Sequence, residues 1–414
     1  MKDKILIFGA HFGNTGAEAM LYVTINEMIK RFPEKEIVVL YPGASCDKNL
    51  NNYKFVTAED NIFARYFAIE QSLSFAYIKG KAFQDFKNIV KFVLGKQVRK
   101  YPLKHIDKYI KEAYVVIDIS GYALATTWGE KVINNYIYMY KSCEKHNVPL
   151  YLMPQSFGPF NLSESLMSDI KDLFNYSSLV FVREEDGKKE IENNFNFKES
   201  ILSTDLVLQN KFVDYNLILK NISKKEVNIK TKTNNVAILP NMRVFDRLDN
   251  DILLDMYKKI INELLRLEKN VYILRHSAED LLPAKLIKNS FANNDKVVLI
   301  ESQFNSYQYE EVVQNFDYII ASRYHSIVHA YKHDVPCIAI GWAVKYHELL
   351  TLFEQNAYMV DIRDEIKTNE IIDKIIRIDS NYKKEKILIN NHLVKIQENN
   401  CFDLLEDNLK NRGI

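Results

Sequence analysis

The sequence predicts an α/β protein made of two Rossmann-like, doubly wound units that face a common cleft. Three observations carry this. At 414 residues the chain exceeds the roughly 250–300 residues at which a single hydrophobic core stops growing. Short apolar runs alternate along it with longer amphipathic segments, the pattern of parallel strands flanked by helices. These runs fall into two sets separated by residues 216–235, which are rich in Asn, Lys and Thr and poor in aromatics, as a linker would be.

The first set predicts strands at Ile5–Phe8, Ile37–Leu40, Val115–Ile119, Leu150–Met153 and Leu179–Val182, with a last one near Ile201. The second predicts Val236–Leu239, Val271–Leu274, Val297–Ile300, Tyr318–Ile320 and Cys337–Ile340. Domains are therefore expected at 1–215 and 235–369, with helices over 370–414 that cross back to the first unit. An insert over 76–111 carries ten Lys or Arg against Asp85 and Asp107, with Phe83, Phe86, Val90 and Val93 at helical spacing. It reads as a basic amphipathic helix, suited either to an anionic membrane surface or to docking by its apolar stripe with the lysines in water.

A net charge of +1 supplies no field for nucleic acid or an acidic partner. Four cysteines without CxxC spacing give neither a zinc site nor a disulfide framework, which suits a reducing cytoplasm. The N-terminus passes into a strand without the apolar core of a signal peptide, and no apolar run approaches the ~20 residues of a membrane span.

Ligands of such sheets bind beyond the carboxyl ends of the strands, so the residues that follow the strands are the candidates. Ala321 to Leu350 is the richest segment. Ser322 reads as a helix N-cap, placing Arg323, Tyr324 and His325 at a helix start that favours anions. Arg183 follows another strand; Glu184 or Glu185 would be its surface partner if it bound no ligand. His325, His329 and His333 recur every four residues, but His333 suits a helix end and His329 a core-facing position, so no metal site is expected. The Gly13–Gly16 loop opens a helix yet lacks the lysine of a nucleotide-binding loop.

Ser322, Arg323, His325 and Ser326, then Val335-Pro336, Ile340-Gly341-Trp342 and Lys345-Tyr346, are similar to the C-terminal signature of the polysaccharide pyruvyltransferase family. Gly13-Asn14-Thr15-Gly16 with Glu18-Ala19, Met153 to Pro159 and Val182-Arg183-Glu184 also resemble family elements. The resemblance implies a glycosyltransferase-B-like architecture and transfer of a pyruvyl group from phosphoenolpyruvate onto two hydroxyls of a sugar in a polysaccharide or its precursor. The product is a cyclic ketal and phosphate, and no metal or cofactor is required.

Under that resemblance Arg183 and Arg323 bind the donor with Ser322, Tyr324 and His325. His325 is the general acid, an imidazolium stabilised beside the donor's charge, or else a phosphate ligand alone. Asn14, Gly16, Glu18, Gln155, Ser156, Arg243 and His276 are the cleft or acceptor candidates. The acceptor is open between lipid-linked, free and nucleotide-activated sugars, and a lipid-linked one would bring this cytoplasmic protein to the inner face of the membrane. Two other functions share these residues: a nucleotide-sugar glycosyltransferase of the same architecture, and a catalytically silent glycan-binding relative.

Overall fold

The computed structural model describes residues 3–9, 14–41, 52–59, 104–223, 227, 229, 233–341, 344–363 and 367–412. Its strands form two wholly parallel sheets. The first joins β1 (Lys4–Phe8), β2 (Glu36–Tyr41), β3 (Val56–Glu59), β4 (Ala113–Asp118), β5 (Leu150–Gln155), β6 (Leu179–Val182) and β7 (Ile201–Leu202) in the order 3-2-1-4-5-6-7. The second joins β8 (Asn235–Leu239), β9 (Asn270–Leu274), β10 (Val297–Ile300), β11 (Tyr318–Ala321), β12 (Cys337–Gly341) and β13 (Met359–Asp361) in the order 10-9-8-11-12-13. Both orders reverse direction beside the first strand of the set, and such a reversal opens a crevice at the carboxyl ends.

The inner strands are largely apolar because helices cover both faces. Those of eight or more residues are α1 (Thr15–Arg31), α2 (Lys104–Glu112), α3 (Glu130–His146), α4 (Glu164–Tyr176), α5 (Glu185–Phe195), α6 (Asn250–Arg266), α7 (Leu281–Asn289), α8 (Ser306–Val313), α9 (Tyr324–Lys332), α10 (Val344–Leu352), α11 (Thr368–Glu398) and α12 (Cys401–Asn411). Ile5, Ile7, Val115 and Ile117 of the first sheet share one buried apolar cluster with Ile319, Ala321, Ile327 and Val328 of the second half. The two halves are thus packed on each other.

Much of that contact is made by α1. Asn14 caps it, its side chain accepting from the N–H groups of Gly16 and Ala17. Thr15 donates to the carbonyl of His276 at 3.2 Å, and Glu18 accepts from the Ser306 N–H at 2.6 Å, at the start of α8. The tail returns to the first sheet: Asn400 donates to the Gln209 carbonyl, Tyr151 donates to Asn408, and Arg31 of α1 pairs with Asp403 and Glu406 of α12.

Of the basic insert, Phe83, Phe86, Val90 and Val93 lie outside the described residues. The described end is α2, which buries Ile106 and Ile110 fully and holds Asp107 against Ser142, Lys145 and His146. α2 is docked by Ile106 and Ile110. No helix of the described residues is long and apolar enough to cross a membrane.

Candidate active site

The carboxyl ends of both sheets converge on one cavity of about 640 Å³. Arg183 and Glu184 reach it from the end of β6, Ser203 and Thr204 from the end of β7, Tyr324 from α9, Lys345 and Glu348 from α10, and His392 and Lys395 from α11. Both halves and the returning helix therefore build it.

Arg183 is its best-ordered charge. The guanidinium donates to Glu184 at 2.8 Å, to Asp205 at 2.9 Å and to the Ser156 hydroxyl at 2.6 Å, and its face lies 4.8 Å from the centre of the Tyr324 ring. Burial opposes its charge, but Glu184 and Asp205 outweigh it and raise its pKa. Lys345 is different. Its ammonium lies 5.2 Å from the Tyr324 ring centre, and among the described residues no carboxylate is within ion-pairing distance. Burial, then the Arg183 charge, lower its pKa to about 8. A partly desolvated cation beside an arginine is a place an anion would stabilise.

His325 stands on the same turn of α9. Its Nε2 is buried without a hydrogen-bond partner, 3.6 Å from Asp205. A Cβ on Gly16 would come within 2.2 Å of the imidazole, so only glycine lets the start of α1 lie against this ring. Burial, with Arg183, His329 and Lys345 adding positive charge, holds the ring well below its ordinary pKa. In the unliganded protein burial and these cations disfavour the imidazolium, although the Asp205 carboxylate stands 3.6 Å away.

Several other expectations are revised. Ser322 does not cap α9; the N-cap is Arg323, and Ser322 is fully buried, its carbonyl accepting from Asn241 and Tyr346. Arg323 turns away from the cavity to chelate Asp280 and pair with Glu279, whose other oxygen meets Arg243 at 3.2 Å. Since Asp280 also accepts from the backbone of Met242 and Ser277, this pair ties together the ends of β8, β9 and β11. Gln155 is buried and donates to Asp118, while Glu18 has its two oxygens bonded to Tyr22 and Ser306, so both are engaged within the protein. The side-chain oxygen of Asn14 serves its cap, and Ser156 belongs to the Arg183 cluster.

His276 is 8% exposed and packs edge-on to Tyr309, 6.0 Å from the His329 ring. His329 and His333 turn to the buried carboxylate of Glu310 at 3.5 and 3.4 Å, with Lys332 at 2.8 Å. The four-residue histidine series is thus split between two acids, Asp205 for His325 and Glu310 for the other two. Lys345 is the functional candidate that strand-end reasoning missed, since it sits inside α10, four residues beyond the end of β12, and not directly behind the strand.

Acid sensitivity follows from these burials. Folded His276, His325 and His329 resist protonation, each chiefly through burial, so below about pH 6.5 the unfolded chain binds up to three protons that the folded one does not. Buried Asp118, raised to about 6, opposes this with one proton between pH 6 and its ordinary value. The net loss on acidification is roughly 3 kcal/mol per pH unit at its steepest. Stability by urea titration should be level near pH 7.5 and fall steadily from 6.5 to 5; a flat profile would show that these histidines are hydrated.

The chain matches the polysaccharide pyruvyl transferase family over residues 14–343, a span that includes Arg183, Tyr324 and His325. It belongs to that family. No curated protein matches it. Among solved structures, the UDP-GlcNAc 2-epimerase from Neisseria meningitidis bound to UDP-GlcNAc is 12% identical with a TM-score of 0.58, covering 99% of each chain. A Staphylococcus aureus TarM variant in complex with fondaparinux, α-GlcNAc-glycerol and UDP is 12% identical with a TM-score of 0.57, again over 99% of each. The UDP-GlcNAc 2-epimerase from Methanocaldococcus jannaschii is 12% identical with a TM-score of 0.56, over 90% of this chain and 92% of that one. At this identity the likeness is one of fold, and the fold of this family member is glycosyltransferase-B-like.

Proposed function

We propose that this protein transfers a pyruvyl group from phosphoenolpyruvate to two hydroxyls of a sugar in a polysaccharide or its precursor, forming a cyclic ketal and releasing phosphate. The observation that carries the reading is Lys345, a cation without an ion-paired carboxylate among the described residues, set beside Arg183 and Tyr324 in a cavity shared by both halves, with His325 next along α9. Phosphoenolpyruvate brings a phosphate and a carboxylate, which suit a lysine and an arginine at close range. Its charge would offset the burial and the neighbouring cations that lower the His325 pKa, so that the imidazole gains a proton with the donor and delivers it to the terminal methylene carbon. The acceptor hydroxyls then attack the cationic carbon and phosphate leaves.

In this reading residues 1–215 supply the acceptor side and 235–369 most of the donor side, with Arg183 crossing between them. Arg323 holds the strand ends that carry the site. A cytoplasmic location goes with the donor, a cytosolic metabolite. The rival, a nucleotide-sugar transferase, has its own outcome in the test. Calorimetric titration should show phosphoenolpyruvate binding that weakens at least ten-fold in Lys345→Gln, about 1.4 kcal/mol or more for a lost charge-assisted contact. Binding of UDP-GlcNAc with none of phosphoenolpyruvate would overturn the proposal.

A further inference from the structure

Asp118 ends β4, the strand that lies beside β1 at the centre of the first sheet. A carboxylate at 1% exposure within an apolar run is costly unless its oxygens are bonded, and here both are. Oδ2 accepts from Gln155 on β5 at 3.2 Å, and Oδ1 accepts from the backbone N–H of Ser120 at 2.9 Å and from its hydroxyl. Among the described residues no cation pairs with it. The hydroxyl of Tyr136 on α3 completes the row, donating to Ser120 Oγ at 2.6 Å. On the remaining side β1 brings no charge: Gly9, at φ +82°, passes so close that a Cβ there would lie 2.1 Å from Ser120 Oγ. Backbone, tyrosine and aspartate thus fix one serine hydroxyl at the carboxyl end of the central strands.

Unlike Asp118, Ser120 is only half-buried. Tyr122 follows it, half-buried and edge-on to Trp128 at 5.9 Å, its hydroxyl donating to the Gly158 carbonyl at 3.2 Å. Aromatic faces of this kind pack against the apolar face of a pyranose. The Ser156 N–H bonds the Gly121 carbonyl at 2.9 Å, which ties this loop directly to the Arg183 cluster.

Resting on the donor reading above, we propose that Ser120 and Asp118 form the proton relay that activates the acceptor sugar's hydroxyls, with Tyr122 and Trp128 as the platform for its ring. Ser120 Oγ gives its proton to Asp118 Oδ1 and receives that of the attacking hydroxyl. The hydroxyl's O–H bond breaks as its oxygen bonds to C2 of the pyruvyl group, and the bond from C2 to the phosphate oxygen breaks with its electron pair leaving on phosphate. Of the two acceptor protons, one replaces that delivered to the methyl carbon and the other departs with phosphate. Ser120 touches substrate and is the catalytic residue; Asp118, acting through it, is a positioning residue.

The test measures phosphate release from phosphoenolpyruvate with methyl pyranosides that carry free 4- and 6-hydroxyls, alongside calorimetric binding of phosphoenolpyruvate. Ser120→Ala and the isosteric Asp118→Asn are each expected to leave donor binding within two-fold and to lower turnover about a hundred-fold. Asp118 must be ionised to accept a proton, so the unsubstituted protein's rate should rise with pH through about 6, and this limb should vanish in Ser120→Ala. Should Asp118→Asn fail to fold, Ser120→Ala decides alone. Turnover within three-fold of the unsubstituted protein and an unchanged pH profile overturn the relay, whereas failure of the unsubstituted protein to bind phosphoenolpyruvate overturns the donor reading.

Discussion

Arg183→Met is expected to lower the melting temperature by about 5 °C and to abolish phosphoenolpyruvate binding together. The stability effect comes from what the guanidinium leaves behind. Asp205 is fully buried and Glu184 nearly so, and Arg183 is the cation bonded to both, at 2.9 and 2.8 Å. Removing one partner of a buried ion pair leaves an uncompensated charge, at about 3–5 kcal/mol. Lysine keeps a charge but cannot reach Glu184, Asp205 and Ser156 at once, because only the planar fork presents three donors in fixed directions. Arg183→Lys should therefore recover part of the melting temperature and little of the donor affinity. A methionine variant that melts within a degree of the unsubstituted protein would show that water enters the cluster and that the pair is a surface one.

The sequence made the sheets legible because parallel strands covered on both faces must be apolar, and eleven short runs met that condition. It hid two strands, β3 and β13. Both lie at sheet edges, where four residues reading VTAE and three reading MVD suffice and carry no apolar run. The site was legible where chemistry follows a strand directly, as with Arg183, Tyr324 and His325. It misled where a polar side chain after a strand turns inward. Gln155 and Ser322 look like cleft residues, but each side chain meets a core partner distant in sequence, Asp118 for the first and the Tyr257 hydroxyl for the second. Arg323 likewise found its carboxylates on the loop after β9, and no spacing rule links residues 43 positions apart. Lys345 was visible as part of a motif, yet its value depends on the absence of a counter-ion, which only packing reveals. Asp118 reads as one polar letter in an apolar strand; a carboxylate at the last residue of a buried strand, with Ser and Gly two and three residues on, was the available signal.

His325→Gln is expected to retain donor binding and to lose turnover by roughly a hundred-fold or more, the contribution of a positioned general acid. Glutamine keeps a donor near the place of Nε2 but cannot carry a transferable proton. A ring that only ligated phosphate would behave the other way, with affinity falling and maximal turnover preserved. The charge pattern adds a second, independent readout. Burial and the positive charges of Arg183 and Lys345 keep the free imidazole neutral, and a bound dianion removes that repulsion. Binding at pH 7 should thus take up close to one proton, measurable as a dependence of the calorimetric enthalpy on the ionisation enthalpy of the buffer. Lys345, lowered only to about 8, is largely charged at that pH and contributes little. The uptake should disappear in His325→Gln while affinity stays within a few-fold. Uptake that persists in the variant would move the acid to another group.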